Sequence, residues 1–271
     1  MKSPLPLVLC LFAVAFAFLG PIAYAASSPE LYARVTLWGI PLFMVLAAAF
    51  CVPRRLPSAS LASRGGPALL VAGAAGLLAD QAHLGYGFFA RAATFTLGTQ
   101  RFADGRFAWE AIWALPLWIA FGVFGWERAL RSGVFAGFRD RLGTPAAFAV
   151  SGLAGIALGL PVILSGGHSA GFVLSGLVAL AAREAACTLL FVEGGLLAAG
   201  LYRGVSIFVQ ALVIDDRYAL HSPAFQVVSD APSFYLARAL AALAGVAVIA
   251  LGVRWAGHGR AHGRFRTKRS T

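Results

Sequence analysis

The chain has 271 residues, a formal net charge of +11, 59% hydrophobic and 12% charged residues, and a mean hydropathy of +0.79. Soluble domains carry about 25% charged residues and about 45–50% apolar ones, so this composition excludes a soluble globular fold and points to an all-α, polytopic transmembrane helical bundle. The basic residues sit in short segments between apolar runs and in the C-terminal tail, a membrane-topology pattern that excludes nucleic acid as a partner.

Crossing a hydrocarbon core of about 30 Å takes about 20 apolar helical residues. The first such run, 5–25, ends in Ala23-Tyr24-Ala25 after a Gly20-Pro21 break, the small-x-small ending of a cleavable signal. Only nine residues separate it from the next run, so the expectation is that it stays as the first of about eight spans; cleavage would leave seven. Runs 35–52, 67–89, 107–126 and 146–164 follow, and 234–253 comes last. The long apolar stretch 169–214 must hold two spans. Folding it back at Glu193-Gly194-Gly195 gives 170–192 and 196–214, both of crossing length and joined by a Gly pair that suits a turn. A reversal at Arg183-Glu184 would leave a first arm too short to cross.

Lys2, Arg54, Arg55, Arg64, Arg128, Arg131, Arg139, Arg141 and the basic tail fall on one side of this topology, against Arg34, Arg91, Arg101, Arg106 and Arg217 on the other. The richer side reads as cytoplasm, which puts the chain in the inner membrane with a cytoplasmic C-terminus. Trp38, Trp109, Trp126 and Trp255 mark expected span ends. One domain over 1–255 followed by a mobile basic tail over 256–271 is the expected organisation, the tail holding the last span against anionic lipid. His258 and His262 in that tail read as solvated residues. Ser151, Gly155 and Gly159 recur every four residues, as do Gly167, Gly171 and Ser175, spacings that let helices pack closely. Cys10, Cys51 and Cys187 have no paired spacing and read as small buried hydrophobes.

Ionisable groups inside spans are costly, which makes them functional candidates. Asp80 and His83 stand at i and i+3 in LLADQAHLGYG, where the carboxylate can orient the imidazole for proton transfer or share a metal with it. Together with Glu110, His168 and His221 they form the candidate catalytic set on the outer face, alongside Asp215, Asp216, Arg217, Asp230 and Arg238. Arg183, Glu184 and Arg203 form a candidate membrane-embedded charge set, with an expected Glu184–Arg203 ion pair across the hairpin.

Gly167-His168-Ser169-Ala170-Gly171 spells G-x-S-x-G, but a nucleophile elbow needs a strand running into a helix, and here the surroundings are a membrane hairpin. No P-loop and no H-E-x-x-H occurs. Lys2 and Lys268 are the only lysines, so no mid-span lysine exists for retinal chemistry. AAGLYRG, residues 198–204, resembles the Arg-Gly end of the first motif of the CAAX-protease and bacteriocin-processing family. Ala198 and Ala199 stand where that family has two glutamates, and neither F-x-x-x-H nor H-x-x-x-N follows. The catalytic residues of that family are therefore missing, and the chain is not placed in it.

Three function classes fit these features. The first is a small-solute transporter or permease component using the mid-span charges; the second is a membrane-embedded enzyme acting on a lipid or exported polypeptide at the outer Asp/His set; the third is a non-catalytic assembly subunit. The permease leads. The expected partners are the bilayer, a small-molecule or lipid substrate and other membrane subunits; no cofactor or metal is specified by any motif.

Overall fold

The computed structural model describes residues 45–46, 48–49, 66–97, 120–164, 169–214 and 225–267. Most of them are helical, as the composition requires. Helix α1 (Gly66–Asp80) continues past a single turn residue, Gln81, into α2 (Ala82–Phe89), and the two form one apolar rod of 24 residues. The rod ends because Arg91 adopts φ 52. Ala92 N–H then donates to the Gly87 carbonyl at 2.9 Å and Arg91 N–H to that of Phe88 at 3.3 Å, a Schellman ending with arginine in the position usually held by glycine.

Helix α3 (Phe121–Phe135) is wound as a π-helix and passes into α4 (Ala136–Leu142). The expected span end at Trp126 is thus corrected: the helix runs on through Glu127 and Arg131, because both find partners in the interior. Gly143 (φ 82) turns the chain into α5 (Thr144–Leu164). Ser169 caps the next helix by accepting the Phe172 N–H on its Oγ at 3.3 Å, which gives the serine of the G-x-S-x-G spelling a structural job.

Helix α6 (Ala170–Leu212) contains one non-helical residue, Gly195, at φ 76 and ψ −169. The chain reverses there, as the lengths of the two apolar arms and the Gly194-Gly195 pair predict. In a straight helix residues 184 and 203 would stand about 28 Å apart, yet their side chains meet at 2.5 Å. Two short strands, β2 (Val213–Ile214) and β3 (Phe225–Val228), join β1 (Thr94–Leu97) in a small mixed sheet of order β1-β3-β2. Thr94 pairs with Val228 in the antiparallel half and Val213 with Phe225 in the parallel half. Nothing in the hydropathy pattern announces this sheet. Helix α7 (Pro232–Thr267) closes the described chain. It stays helical to Thr267, inside the segment expected to be a mobile tail.

Neighbouring helices run antiparallel. Along the α1–α2 rod and α7 the contacts pair Gly87 with Phe234, Gly76 with Gly245 and Ile249, and Ala72 with Gly252; along α5 and the first arm of α6 they pair Gly155 with Glu184, Gly159 with Leu180 and Ile163 with Gly176. The bundle consequently has a hairpin end, near Gly195 and Gly143, and a sheet end, near Phe89, Ser169 and Pro232.

Among the described residues three helices are long and apolar enough to cross a membrane: Gly66–Phe89, Ala170–Val209 and Pro232–Ala256. The distribution of side-chain size suits lipid as the outer solvent. Large apolar groups such as Val71, Leu78, Leu153, Leu174, Leu240 and Leu251 face outward, while Ala186, Cys187, Ala198 and Ala199 fill the interior with Leu190, Tyr202 and Ile249. Small residues inside let backbones approach and gain dispersion contact where no hydrophobic effect drives helices together. Gly122 illustrates the closeness: a Cβ there would lie 2.6 Å from the Gly204 nitrogen and 2.7 Å from the Gly200 carbonyl oxygen.

Candidate functional site

Four charged side chains meet in the interior where α3, α5 and both arms of α6 converge. Glu127 and Arg131 come from α3, four residues apart; Glu184 and Arg203 come from opposite arms of the hairpin. Their arrangement is a closed ring in which each carboxylate bridges both guanidiniums. Arg131 Nε donates to Glu127 Oε2 at 3.1 Å, and Arg203 Nε to Glu127 Oε1 at 2.9 Å. Arg203 Nη2 donates to Glu184 Oε1 at 2.5 Å, and Arg131 Nη2 closes the ring on Glu184 Oε2.

Further hydrogen bonds tie the ring to its surroundings. Arg131 Nη1 donates to Ser151 Oγ at 2.6 Å, and Ser151 Oγ donates on to the Leu130 carbonyl at 3.1 Å. The Glu184 carbonyl accepts from Arg131 Nη2 at 3.1 Å and from Thr188 Oγ1 at 2.8 Å. The Arg203 guanidinium also lies over the Trp126 ring, 5.6 Å from its centre. Trp126 is therefore an interior partner of the ring, which corrects its expected place at a span end.

Two carboxylates and two guanidiniums sum to zero charge, and the ring members are between 0% and 2% exposed. An isolated ion here would carry a desolvation penalty of several kcal/mol. Alternation of sign and full hydrogen bonding offset that penalty, since each carboxylate oxygen receives an N–H. Backbone geometry makes the room. A Cβ on Gly155 would lie 2.3 Å from both Cδ and Oε2 of Glu184, so the Ser151, Gly155, Gly159 spacing serves the ring: Ser151 binds it, Gly155 admits the carboxylate and Gly159 receives Leu180.

Of the charge set read from sequence, Glu184 and Arg203 are in the ring. Arg183, half-buried and one residue before Glu184, belongs to another face of the same arm. Sequence reading missed Glu127 and Arg131, counting Arg131 among loop charges. The available signal was their i, i+4 spacing in WERALRSG, which places opposite charges on one helix face.

The outer-face residues fall partly within the described chain. Asp80 accepts from Gln81 Nε2 at 3.0 Å. The buried His83 ring places Nδ1 at 2.9 Å from the Asp80 carbonyl oxygen and lies tilted against Phe234, with centres 5.6 Å apart. A carbonyl only accepts, so Nδ1 carries the proton. The imidazole is thereby oriented by the backbone, where the sequence suggested the carboxylate. Arg238 stacks 4.9 Å above Phe172, and Tyr235 donates to the Ser229 carbonyl at 2.7 Å. Ser229 Oγ in turn donates to the Ala92 carbonyl at 2.6 Å, tying the α2 and α7 turns together at the sheet end. Glu110, His168, His221 and residues 215–217 lie outside the described residues. Among the described residues no group of three His, Cys, Asp or Glu side chains is placed to hold a metal ion, and Cys187 is a buried free thiol.

No known protein family, curated protein or solved structure matches the chain.

Proposed function

We propose that the protein is a small-solute permease, or the membrane component of one, with the Glu127–Arg131–Glu184–Arg203 ring as its gate. The observation that carries this reading is the ring itself: four ionised groups, charge-balanced and with every carboxylate oxygen bonded to a guanidinium, deep in an apolar bundle. Apolar side chains of similar volume stabilise a protein interior as well as a buried ion network, or better, so packing alone gives no reason to place charges there. What a charged ring adds is exchangeability. Its pairs can open and re-form with a charged solute group as substitute partner, and separating α3 from the α6 hairpin is the motion that opens them. In this reading the chain crosses the inner membrane eight times, with the hairpin end and the C-terminus in the cytoplasm, where the positive-inside rule puts them.

The test compares uptake of a panel of labelled small solutes by cells lacking the chain, cells expressing it, and cells expressing the fully apolar variant Glu127→Leu/Arg131→Met/Glu184→Leu/Arg203→Met. At least one solute should accumulate only with the wild-type chain. The apolar variant should reach the membrane at near wild-type abundance and transport nothing. Undiminished uptake by the variant would reduce the ring to a helix fastener, and a panel without any chain-dependent solute would remove the permease reading.

A further inference from the structure

We infer that the solute group met by the ring is an oxyanion, a carboxylate or a phosphate, and that it binds at Arg203 Nη1 and Trp126 Nε1. This deepens the permease reading and rests on it for transport; the binding site itself rests on the geometry below.

The two arginines of the ring are not equivalent. Arg131 engages all of its nitrogens: Nε on Glu127, Nη1 on Ser151, and Nη2 on both the carboxylate and the carbonyl of Glu184. Arg203 engages Nε on Glu127 and Nη2 on Glu184. Its Nη1 donates to no acceptor among the described residues, although the side chain is only 2% exposed. A guanidinium nitrogen donates and never accepts, so the ring closes with donor capacity left over at one corner.

Two more buried groups stand at that corner. Trp126 lies four residues after Gly122, on the face of α3 that meets Gly200 and Gly204, and its ring lies under the Arg203 guanidinium. The indole Nε1 is buried with no hydrogen-bond partner among the described residues. Ser206 follows Arg203 by three residues and so shares its helix face. It is 1% exposed, and its Oγ is likewise without a partner among the described residues. Buried polar groups are nearly always paired, and a buried donor left without an acceptor costs free energy. The closed state carries that cost, and a ligand oxygen relieves it.

The ligand class follows from the donors. Guanidinium and indole N–H groups accept nothing and the Ser206 hydroxyl can donate, so their complement is a group rich in acceptor oxygens. Arginine binds carboxylate and phosphate through paired, parallel N–H bonds. The Nη1–Nη2 edge of Arg203 offers such a pair, but Nη2 is held by Glu184 Oε1. An oxyanion that takes this edge therefore displaces Glu184 from Arg203, while Trp126 Nε1–H and the Ser206 hydroxyl supply further donors. Neither ring member is stranded, because Glu184 Oε2 keeps Arg131 and Arg203 Nε keeps Glu127. What is lost is the bond between the two arms of the α6 hairpin. Room for the oxyanion comes as α3 parts from the second arm, so binding and opening of the gate are one event.

The experiment uses the full-length protein, labelled with heavy nitrogen at the indoles of its six tryptophans and reconstituted in lipid nanodiscs at neutral pH. Trp126→Phe identifies the Trp126 signal in proton–nitrogen correlation spectra. Sodium acetate and sodium phosphate are titrated against sodium chloride at matched ionic strength. The Trp126 N–H signal should move downfield and saturate with acetate, phosphate or both, and stay in place with chloride; the salt that acts tells carboxylate from phosphate. Arg203→Lys, which lacks the paired N–H edge, should weaken binding by about tenfold or more. Ser206→Ala leaves every ring charge in place and should weaken it about tenfold. A Trp126 signal that responds to neither oxyanion, or equally to chloride, overturns the proposal, as does parental affinity in Ser206→Ala or in folded Arg203→Lys. No transport is measured, so binding found beside a solute panel with no hit overturns only the permease reading, and a transported solute with a silent Trp126 overturns only this site.

Discussion

Gly155→Ala is the sharpest probe of the ring, because one methyl group is directed at the Glu184 carboxylate. The added Cβ would lie 2.3 Å from Glu184 Cδ, 2.3 Å from Oε2 and 2.9 Å from Cγ. Ordinary carbon contacts are about 3.5–4.0 Å, so the carboxylate must move by about 1 Å or more. It cannot do so and keep its bonds, since Oε2 is held by Arg131 and Oε1 by Arg203. Overpacking costs about 1–3 kcal/mol, and breaking a buried ion pair costs about 3–5 kcal/mol. These overlap, giving an expected destabilisation of about 3–5 kcal/mol. Gly152→Ala is the internal control. It lies on the same helix with nothing within 4 Å of its Cβ position, and alanine is the better helix former by about 1 kcal/mol, so this variant should be neutral or slightly stabilised. Denaturant unfolding of the two purified variants in detergent measures the difference, expected near 4 kcal/mol. Equal stability of the two would refute the placement of Glu184 over Gly155 and, with it, the ring.

Gly195→Ala should destabilise by about 1–3 kcal/mol, because φ 76 with ψ −169 is a conformation essentially restricted to glycine; wild-type stability in the same unfolding assay would argue against a reversal at that residue. Arg91→Gly and Arg91→Val should separate by about 2 kcal/mol in favour of glycine, since Arg91 closes α2 at φ 52, and a β-branched side chain fits that conformation worst. Thermal melts of this pair that coincide would contradict the Schellman ending.

Membrane helices and the hairpin were legible in the sequence for a direct physical reason. Lipid forces every backbone group to be satisfied within its own helix, so run length and the glycine pair at 194–195 carry the information locally. The Glu184–Arg203 pair followed from the same reasoning, because the turn position dictates which residues of the two arms lie level. Glu127 and Arg131 were not legible in this way. The hydropathy of WERALRSG reads as a span end, and only the partners brought by α5 and α6 make those charges interior. The sheet was hidden for a similar reason: its strands of two and four residues are too short to show a period. What the sequence determined alone is therefore the solvent, the helical class and the sites of reversal, each set by local composition. What the tertiary structure decided is which charges share one enclosure, since that depends on residues dozens of positions apart arriving at one crossing.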